Sequence, residues 1–377
     1  MDLIIFDKAR NALEQAVSID EVKQIRDKAE AMRLYIKQSG ESLIMQNQCA
    51  EIKIRAERKA GEILQETVQH GGDRKSKYHD DTLIPKLNDM GVSRLQSSRW
   101  QQIASIPEDN FDTHIEEIKI KGEELTSKEF LSLAVNIKKE RDRQARREKS
   151  AADAALVEPD DRIKVLHGDF REVLNEEVVP SDTVSLVLTD PMYGKDYLHL
   201  WDDLGKFASR ILKPGHLLVA YTGQMYLPQV INSLEKHLKY VWTAGIKYSV
   251  ANAIFPLQIN NYLKLVLLFS KGDYTPTPNP YWFKDHIQGD AYQETKVESE
   301  LQQGLHEFEY LIETFTNSGD LVCDPFLGTG TCVVAAKLKG RRFVGSEVLK
   351  ERYDLTLSRI LQTSSEGPEK NIHGNAD

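Results

Sequence analysis

The segment Asp190-Pro191-Met192-Tyr193 places an acceptor, a rigid turn and an aromatic ring directly after the apolar run Val184–Leu188. The carboxylate of Asp190 and the carbonyl of Pro191 can both accept hydrogen bonds from an exocyclic amino group. The ring of Tyr193 can stack on a base, a contact worth ~1–3 kcal/mol. An Asp-Pro turn that only closes a strand is the plainer interpretation. The chemistry that the segment favours is the binding of a flipped base through its amino group.

A second segment, Leu321–Val334, runs from an apolar stretch through a glycine turn into a helical pattern. Its candidate ligand-binding residues are Asp324, Pro325, Phe326, Gly328, Thr329, Gly330 and Thr331. Glycines at a strand-to-helix turn let the backbone approach a ligand closely, and an acid after the next strand, here Glu347, suits the hydroxyls of a ribose. The same pattern fits NAD enzymes, and a tight turn beside a surface glutamate would also produce it.

These segments lie in a region where short β-rich runs alternate with helical patterns after residue 160. The predicted strands are Ile163–Leu166, Val184–Leu188, His216–Tyr221, Tyr240–Lys247, Leu263–Phe269, Leu321–Cys323 and Arg342–Gly345. Alternation of strands and helices indicates a doubly wound α/β sheet. In such a sheet, ligands sit at the carboxyl ends of the strands, where both segments begin.

In their order and residues these segments resemble the β-class DNA amino-methyltransferases, which make N6-methyladenine or N4-methylcytosine. Asp190–Tyr193 is similar to that family's catalytic DPPY, and Asp324–Thr331 with Gly345–Glu347 is similar to its cofactor motifs. His167–Phe170 resembles its GD segment. The catalytic motif precedes the glycine motif, which is the permuted order of the β class. The resemblance covers about residues 162–362 and implies a Rossmann-like methyltransferase sheet.

The resemblance implies S-adenosylmethionine as the cofactor, bound by Phe326 and the glycine turn, with its ribose on Glu347 and its adenosine near Asp169 and Phe170. It implies direct methyl transfer to a flipped base of double-stranded DNA, with Asp190, Pro191, Met192 and Tyr193 as catalytic residues. An aspartate at the first motif position favours adenine N6 over cytosine N4, which stays an alternative. A partner restriction enzyme would make the protein part of a restriction-modification system.

The sequence departs from the family pattern at three places. Met192 replaces the second proline of DPPY, the family's Lys-Pro before the glycine motif is missing, and residues 249–300 are short for a recognition insert. A DNA-binding regulator with a degenerate methyltransferase fold is therefore one rival. An RNA or protein methyltransferase is another, although protein-glutamine enzymes carry asparagine at the position of Asp190 and use the unpermuted order.

The N-terminal 150 residues predict an all-helical domain, with helical apolar spacing over residues 6–67 and a break at Gly40. Residues 82–105 resemble a helix-turn-helix whose turn is Gly91–Ser93, with Leu95 facing inward and Ser97 outward. The candidate DNA-binding residues on its second helix are Arg94, Gln96 and Arg99. Two ordinary packed helices are the alternative. The AEIKIRAERKAGEIL stretch also resembles N-terminal regions of phage and mobile-element methyltransferases.

The composition is that of a globular chain of 377 residues, long enough for two or three domains. Residues 1–150 hold 27 basic and 27 acidic residues, so the net charge of −9 falls on the remainder. DNA binding then needs a local basic face, for which a charged linker helix ending near residue 150 is a candidate. Dimerisation of these helices, giving a homodimer, is the competing interpretation. Residues 160–365 are predicted to form the catalytic domain and 366–377 a disordered tail.

Three scattered cysteines, among 377 residues, favour a reducing cytoplasm and argue against a zinc ribbon, so no metal is expected. The resemblance implies a bacterial or phage-encoded protein. The longest apolar runs are too short to cross a bilayer, which takes ~20 apolar residues, and no membrane partner is expected.

Overall fold

The computed structural model describes residues 3–40, 42–67, 87, 90–158, 160–276, 282–289 and 304–363. The helices are α1 (Leu3–Gln15), α2 (Ile19–Gln38), α3 (Leu43–Thr67), α4 (Arg94–Ala104), α5 (Glu108–Lys121), α6 (Ser127–Ala154), α7 (Phe170–Val173), α8 (His199–Ile211), α9 (Leu227–Leu234), α10 (Leu305–Phe315), α11 (Thr331–Leu338) and α12 (Lys350–Gln362). The strands are β1 (Ile163–His167), β2 (Val184–Thr189), β3 (Leu212–Thr222), β4 (Lys239–Ile254), β5 (Ile259–Ser270), β6 (His286–Gln288), β7 (Leu321–Asp324) and β8 (Arg342–Glu347). No helix of this described part is long and apolar enough to cross a membrane.

The chain divides into two compact units, residues 1–144 and 145–377, and the division falls inside α6. The sequence predicts a linker helix that ends near residue 150 and a catalytic domain that begins at residue 160. In the structure α6 continues to Ala154 because the alanine-rich stretch SAADA has high helix propensity and no breaker.

In the first unit, α3 is the central helix and packs on α2 and α4. Gly61 makes the approach of α4 possible, since a Cβ at this position would lie 2.1 Å from the carbonyl oxygen of Trp100. The first turns of α2 and α4 are closed by capping boxes, in which Ser18 pairs with Glu21 and Ser93 with Gln96. The all-helical expectation agrees with every described residue of this unit.

The helix-turn-helix prediction is only partly covered by the structure. Its first helix falls on residues 82–90, of which only 87 and 90 are described, and Gly91 has the predicted left-handed backbone, with φ +57°. The predicted orientation of α4 was wrong at two positions. Ser97 lies on the inner face with Trp100 and Ile103 because these residues recur every three positions, and Leu95 is therefore 60% exposed.

The second unit is built on one sheet with the strand order β1-β8-β7-β2-β3-β5-β4-β6. The first five strands are parallel, and β5 then runs antiparallel to both β3 and β4. All seven predicted strands are present, several of them longer than expected, and β6 was not predicted. Part of the expected recognition insert, residues 249–300, belongs to this sheet as the ends of β4 and β5 and the whole of β6.

Helices cover both faces of the sheet, as the doubly wound class requires. Residues of α10 and α11 form one apolar core with the sheet, and residues of α8 and α9 form the other. Strand β2 is buried at all six positions between these two layers. Because the five neighbouring strands are parallel, their carboxyl ends share one edge, at which both chemistry-bearing segments start.

Candidate active site

The two segments singled out in the sequence lie side by side because β2 pairs directly with β7. The hydroxyl of Thr189, the last residue of β2, donates a hydrogen bond of 2.6 Å to Oδ1 of Asp324, the last residue of β7. Asp190 and Pro325 therefore begin two adjacent loops at one edge. Below, the glycine-turn side means the ends of β7 and β8, with Asp324, Gly328, Gly330 and Glu347. The aspartate–proline side means the ends of β2 and β3 and the facing part of β5, with Asp190, Tyr193 and Lys264.

On the glycine-turn side, Glu347 holds the turn through backbone groups. Its Oε2 accepts a hydrogen bond of 2.8 Å from the backbone N–H of Gly328, and its Oε1 accepts one of 2.8 Å from Leu349. The carboxylate is only 5% exposed. The predicted contact with a ribose would use the acceptor capacity that remains, since each carboxylate oxygen can accept more than one hydrogen bond.

The two glycines of the turn serve different purposes. Both have left-handed backbones, with φ +58° at Gly328 and +83° at Gly330. A Cβ at Gly330 would lie 2.7 Å from the side chain of Thr356, whereas one at Gly328 would meet only a carbonyl oxygen at 3.9 Å. Gly330 thus allows α12 to pack closely, and Gly328 leaves open space over the turn.

Asp324 is a buried carboxyl that holds the start of this loop. Its Oδ1 accepts hydrogen bonds from Thr189 and from the backbone N–H of Phe326, at 2.6 and 3.0 Å. Burial raises the pKa of Asp324 to about 7, and the carboxylates of Asp190 and Glu347 act in the same direction. The carboxyl group of Asp324 therefore titrates near neutrality. Asp324 was predicted as a residue of the cofactor motif, and its hydrogen bonds show that it also holds the loop in shape.

On the aspartate–proline side, Asp190 is held by side chains. Its Oδ2 forms an ion pair of 2.9 Å with Nζ of Lys264 on β5, and its Oδ1 accepts a hydrogen bond from the hydroxyl of Tyr193. Pro191 is buried, while Met192 and Tyr193 are exposed. Met192 lies on the surface of the loop rather than in its core.

Lys264 is a site residue that the sequence analysis missed. Its Nζ lies 5.1 Å from the ring centroid of Tyr193 and 4.9 Å from that of Tyr221, so the ammonium faces two aromatic rings and one carboxylate. Such rings favour a cation. A signal was present: Lys264 interrupts the apolar run of β5, where a charge needs a partner.

A cavity of about 210 Å³ adjoins Tyr193 at the carboxyl ends of β2 and β3. Its lining is mainly apolar and aromatic, from residues of the Asp190 loop, of α8 and of the β3–α9 connection. The lining residues include Tyr193, Gly194, Trp201, Gly223, Met225 and Tyr226. A flat aromatic group can enter a space of this kind beside the Asp190 carboxylate.

Two predicted cofactor residues have other partners. Asp169 caps α7, and both of its oxygens accept hydrogen bonds from Arg171, which lowers the pKa of Asp169. Phe170 is buried, with its ring centroid 5.0 Å from that of Phe326 and 5.3 Å from that of Phe207. The buried ring of Phe170 therefore packs against the partly exposed ring of Phe326. The sequence had predicted Phe170 as a cofactor-binding residue and did not indicate this packing role.

The other predicted site residues lie at the ends of the glycine loop and on α4. Pro325 and Thr331 are buried at the two ends of the glycine loop, and the backbone carbonyl of Thr329 accepts a hydrogen bond from Arg359. The candidate DNA-binding residues lie on α4 in the first unit, where Arg94 and Arg99 are exposed and Gln96 is partly engaged as the cap partner of Ser93. Within the described ranges, no group of His, Cys, Asp and Glu side chains could hold a metal ion.

Comparisons with known proteins give matches to DNA methylases. A family model described as DNA methylase matches residues 185–358. The chain is 23% identical over 219 residues to the type II methyltransferase M.HpaI of Haemophilus parainfluenzae, covering 48% of this chain and 68% of that one. It is 24% identical over 246 residues to M.BamHI of Bacillus amyloliquefaciens, covering 50% and 56%. A solved complex of M1.HpyAVI with SAM superimposes with a TM-score of 0.45 at 20% identity, covering 52% and 99%.

Proposed function

We propose, from the premise that residues 185–358 belong to the DNA methylase family, that this chain transfers a methyl group from S-adenosylmethionine to an exocyclic amino group of a base in double-stranded DNA. The observation that carries the proposal is that the glycine-turn side and the aspartate–proline side lie next to each other. The Asp190 loop and the glycine turn begin on adjacent strands and are linked by the Thr189–Asp324 hydrogen bond of 2.6 Å. One ligand on each side would meet between them.

The glycine-turn side fits the cofactor. Gly328 leaves room over the turn, Phe326 offers a partly exposed ring, and Glu347 supplies a carboxylate. When bound, S-adenosylmethionine supplies an activated methyl group on a positively charged sulfur. The carboxylate of Glu347 suits that charge. Asp169 and Phe326 would complete the contacts proposed for its adenosine.

The aspartate–proline side would hold the target base. The carboxylate of Asp190 and the carbonyl of Pro191 would accept hydrogen bonds from the two N–H groups of the amino group, which leaves the lone pair of its nitrogen free to attack the methyl carbon. The new N–C bond would replace the S–C bond, whose electron pair stays on sulfur, and the nitrogen would then lose one proton to solvent. The ring of Tyr193 stacks on the base, which enters beside the cavity described above. Lys264 keeps Asp190 in place during this exchange. Most of the acceleration would come from positioning.

Adenine N6 is the proposed target, because the first motif residue is the aspartate Asp190. Cytosine N4 is the second candidate, because the amino group of cytosine lies next to a ring nitrogen as that of adenine does. The matched family model also covers DNA methylases without separating adenine N6 from cytosine N4. Arg94, Gln96 and Arg99 on α4 are proposed to contact the duplex, on the grounds of their charge and exposure.

The proposal is tested by expressing the chain in cells that lack DNA methylation and sequencing their DNA with a modification-sensitive method. Mass spectrometry of the nucleosides identifies the product. We expect N6-methyladenine at one short sequence, and none in cells expressing Asp190→Ala. N4-methylcytosine would move the proposal to the second candidate. Unmodified DNA together with tight DNA binding would favour a regulator with a degenerate fold.

A further inference from the structure

The hairpin of β4 and β5 extends well past the edge that carries the candidate site. The last pairing of β3 with β5 joins Thr222 to Leu265, but β4 and β5 remain paired as far as Ile254 and Ile259. Six residues of β5, at roughly 3.3 Å each, reach about 20 Å beyond the edge. Lys264, which pairs with Asp190, is the last of these residues before β3 is reached. Residues 248–263 are called the ribbon tip below.

The ribbon tip has an unusual composition. It has no charged residue, although 28% of the chain is charged, and Lys247 and Lys264 stand immediately on either side of it. Large apolar side chains are nevertheless exposed on it, with Phe255 at 85%. Its exposed apolar side chains are Phe255, Leu257, Ile259, Tyr262 and Leu263. Its amide side chains are Asn252, Gln258, Asn260 and Asn261.

We propose that the ribbon tip enters a groove of the duplex next to the flipped base and reads part of the target sequence, an inference that rests on the proposed function. The major groove admits a two-stranded β-ribbon, and Asn or Gln side chains can form paired hydrogen bonds with the edge of adenine. Exposed Phe and Leu can contact a thymine methyl group or wedge between base steps. An uncharged tip suits the base-pair floor of a groove, whereas phosphates require cations.

The position of the ribbon tip favours DNA over a second copy of the chain. The tip is continuous with the strand that holds Asp190 through Lys264, so whatever covers it lies beside the candidate active site. A second copy bound there would compete with the substrate for the same edge. The exposed apolar side chains and the amide side chains of the tip also match the donor, acceptor and methyl groups that base edges present.

The experiment compares full-length Phe255→Ala and Asn260→Ala with the wild type. Asn260 is chosen because Asn261 accepts hydrogen bonds from Gln224 and from the backbone of Leu263, so its loss would disturb the ribbon itself. Tyr240→Ala is the matched control, an exposed aromatic at the other end of the same two strands. DNA affinity is measured at several salt concentrations, alongside S-adenosylmethionine affinity, melting temperature and the methylated sequence.

Phe255→Ala is expected to weaken duplex binding at least tenfold at every salt concentration. The slope of log affinity against log salt is expected to stay unchanged, since that slope counts phosphate contacts. Asn260→Ala is expected to relax discrimination at one position of the target by about 5- to 100-fold. Cofactor affinity, melting temperature and the Tyr240→Ala control should stay at wild-type values.

Wild-type DNA affinity and target sequence in both tip variants would overturn the inference while leaving the proposed function intact. A dimer that dissociates on Phe255→Ala, with DNA affinity per chain unchanged, would assign the tip to contact between copies and would also overturn it. If the wild type methylates no DNA, the proposed function fails, and the DNA affinities alone then decide whether the tip binds a duplex.

Discussion

On the glycine-turn side, the carboxylate of Glu347 is held by backbone N–H groups of Gly328 and Leu349, at 2.8 Å each. On the aspartate–proline side, the carboxylate of Asp190 is held by the side chains of Lys264 and Tyr193. Both carboxylates lie at the carboxyl ends of strands of the same sheet. The carboxylate of Glu347 is bound by main-chain groups, whereas that of Asp190 is bound by side chains that can rotate.

This difference separates a fixed site from an exchangeable one. Breaking the contacts of Glu347 requires the glycine loop to move, whereas the Tyr193 hydroxyl can leave Asp190 by a change of rotamer, which takes picoseconds to nanoseconds for an exposed side chain. An incoming amino group can therefore replace the Tyr193 hydroxyl on Asp190 while Lys264 remains. We expect the glycine-turn side to bind its ligand in a preformed shape and the aspartate–proline side to rearrange.

The largest effect is expected from Asp190→Ala. Methyl transfer should fall on the order of 1,000-fold, because the variant removes the acceptor that orients the amino group. Cofactor affinity should stay within about twofold, since Asp190 lies on the other side of the edge. Radiolabel transfer and calorimetry measure the two. Asp196→Ala, an exposed aspartate on the same loop, is the control, and substantial transfer by Asp190→Ala would refute the assignment of the two sides.

The next effect is on stability and concerns Asp324. Its pKa of about 7 lies above the ordinary value of 3.8, so the folded chain binds this proton more tightly than the unfolded chain. The free energy of unfolding contributed by this group is highest below pH ~4 and falls as the pH rises to about 7, by at most about 4 kcal/mol. Asp324→Asn should remove this loss. The free energy of unfolding of the variant minus that of the wild type should therefore be larger at pH 8 than at pH 5.

Urea unfolding at the two pH values tests this expectation. Asp320→Asn is the control, because the pKa of Asp320 is lowered and its titration lies below this range. Parallel stability curves for the wild type and Asp324→Asn would show that Asp324 is ionised in the folded chain across the whole range.

Glu347→Ala should weaken cofactor binding by roughly 1–3 kcal/mol, or about 5- to 150-fold in Kd, because the backbone of the turn loses its acceptor. The rate at saturating cofactor should change less than the affinity does. Isothermal titration with S-adenosylmethionine provides the affinity, and Glu172→Ala, an exposed glutamate on α7, is the control. Normal affinity in the variant would mean that the turn holds its shape without Glu347.

Lys264→Met should lower kcat by about 10- to 100-fold at unchanged cofactor affinity, since an ion pair that orients Asp190 is lost. Lys264→Arg should recover much of the rate because it keeps the charge beside the carboxylate. Lys247→Met, which removes an exposed lysine from the neighbouring strand, should behave as the wild type. Equal losses of kcat and of melting temperature in the Met and Arg variants would assign Lys264 a structural role only.

The smallest effect is expected outside both sides of the edge, on α4. If Arg94 and Arg99 neutralise phosphates, Arg94→Ala/Arg99→Ala flattens the log–log salt dependence of DNA binding by about two units. Lys121→Ala, which removes an exposed charge from α5, is the control. An unchanged slope of log DNA affinity against log salt would indicate that residues of the second unit make the phosphate contacts. It would favour dimerisation as the role of the N-terminal helices.

The fold, and the position of the candidate site residues at one edge of the sheet, could be predicted from the sequence because both depend on local patterns. Apolar runs separated by helices define parallel strands, and parallel strands place Asp190, Asp324 and Glu347 at one edge without any knowledge of tertiary contacts. The glycine turn follows the same logic, since Gly328 and Gly330 do adopt left-handed backbones.

The contacts that were missed join residues far apart or compete locally. Lys264 lies 74 residues from Asp190, and only the antiparallel insertion of β5 beside β3 brings them together. Arg171 takes the carboxylate of Asp169 two residues away, a local contact that no motif spacing reveals. The outer part of the β4–β5 hairpin was not predicted because its exposed faces lack the polar–apolar alternation of a half-buried strand.

The hydrogen bond between Thr189 and Asp324 joins residues 135 positions apart, and the paired residues of β2 and β7, Leu186 with Val322 and Val187 with Cys323, have almost the same separation. At ~5–20 residues per second, the ribosome needs about 7 to 27 s to make the intervening chain. During this interval β3 can cover one edge of β2, but the other edge of this strand, which is buried at every position in the folded chain, has no partner and can pair with another nascent chain. Synthesis speed and chaperone access during those seconds should therefore affect the yield of folded protein more than substitutions on the surface do.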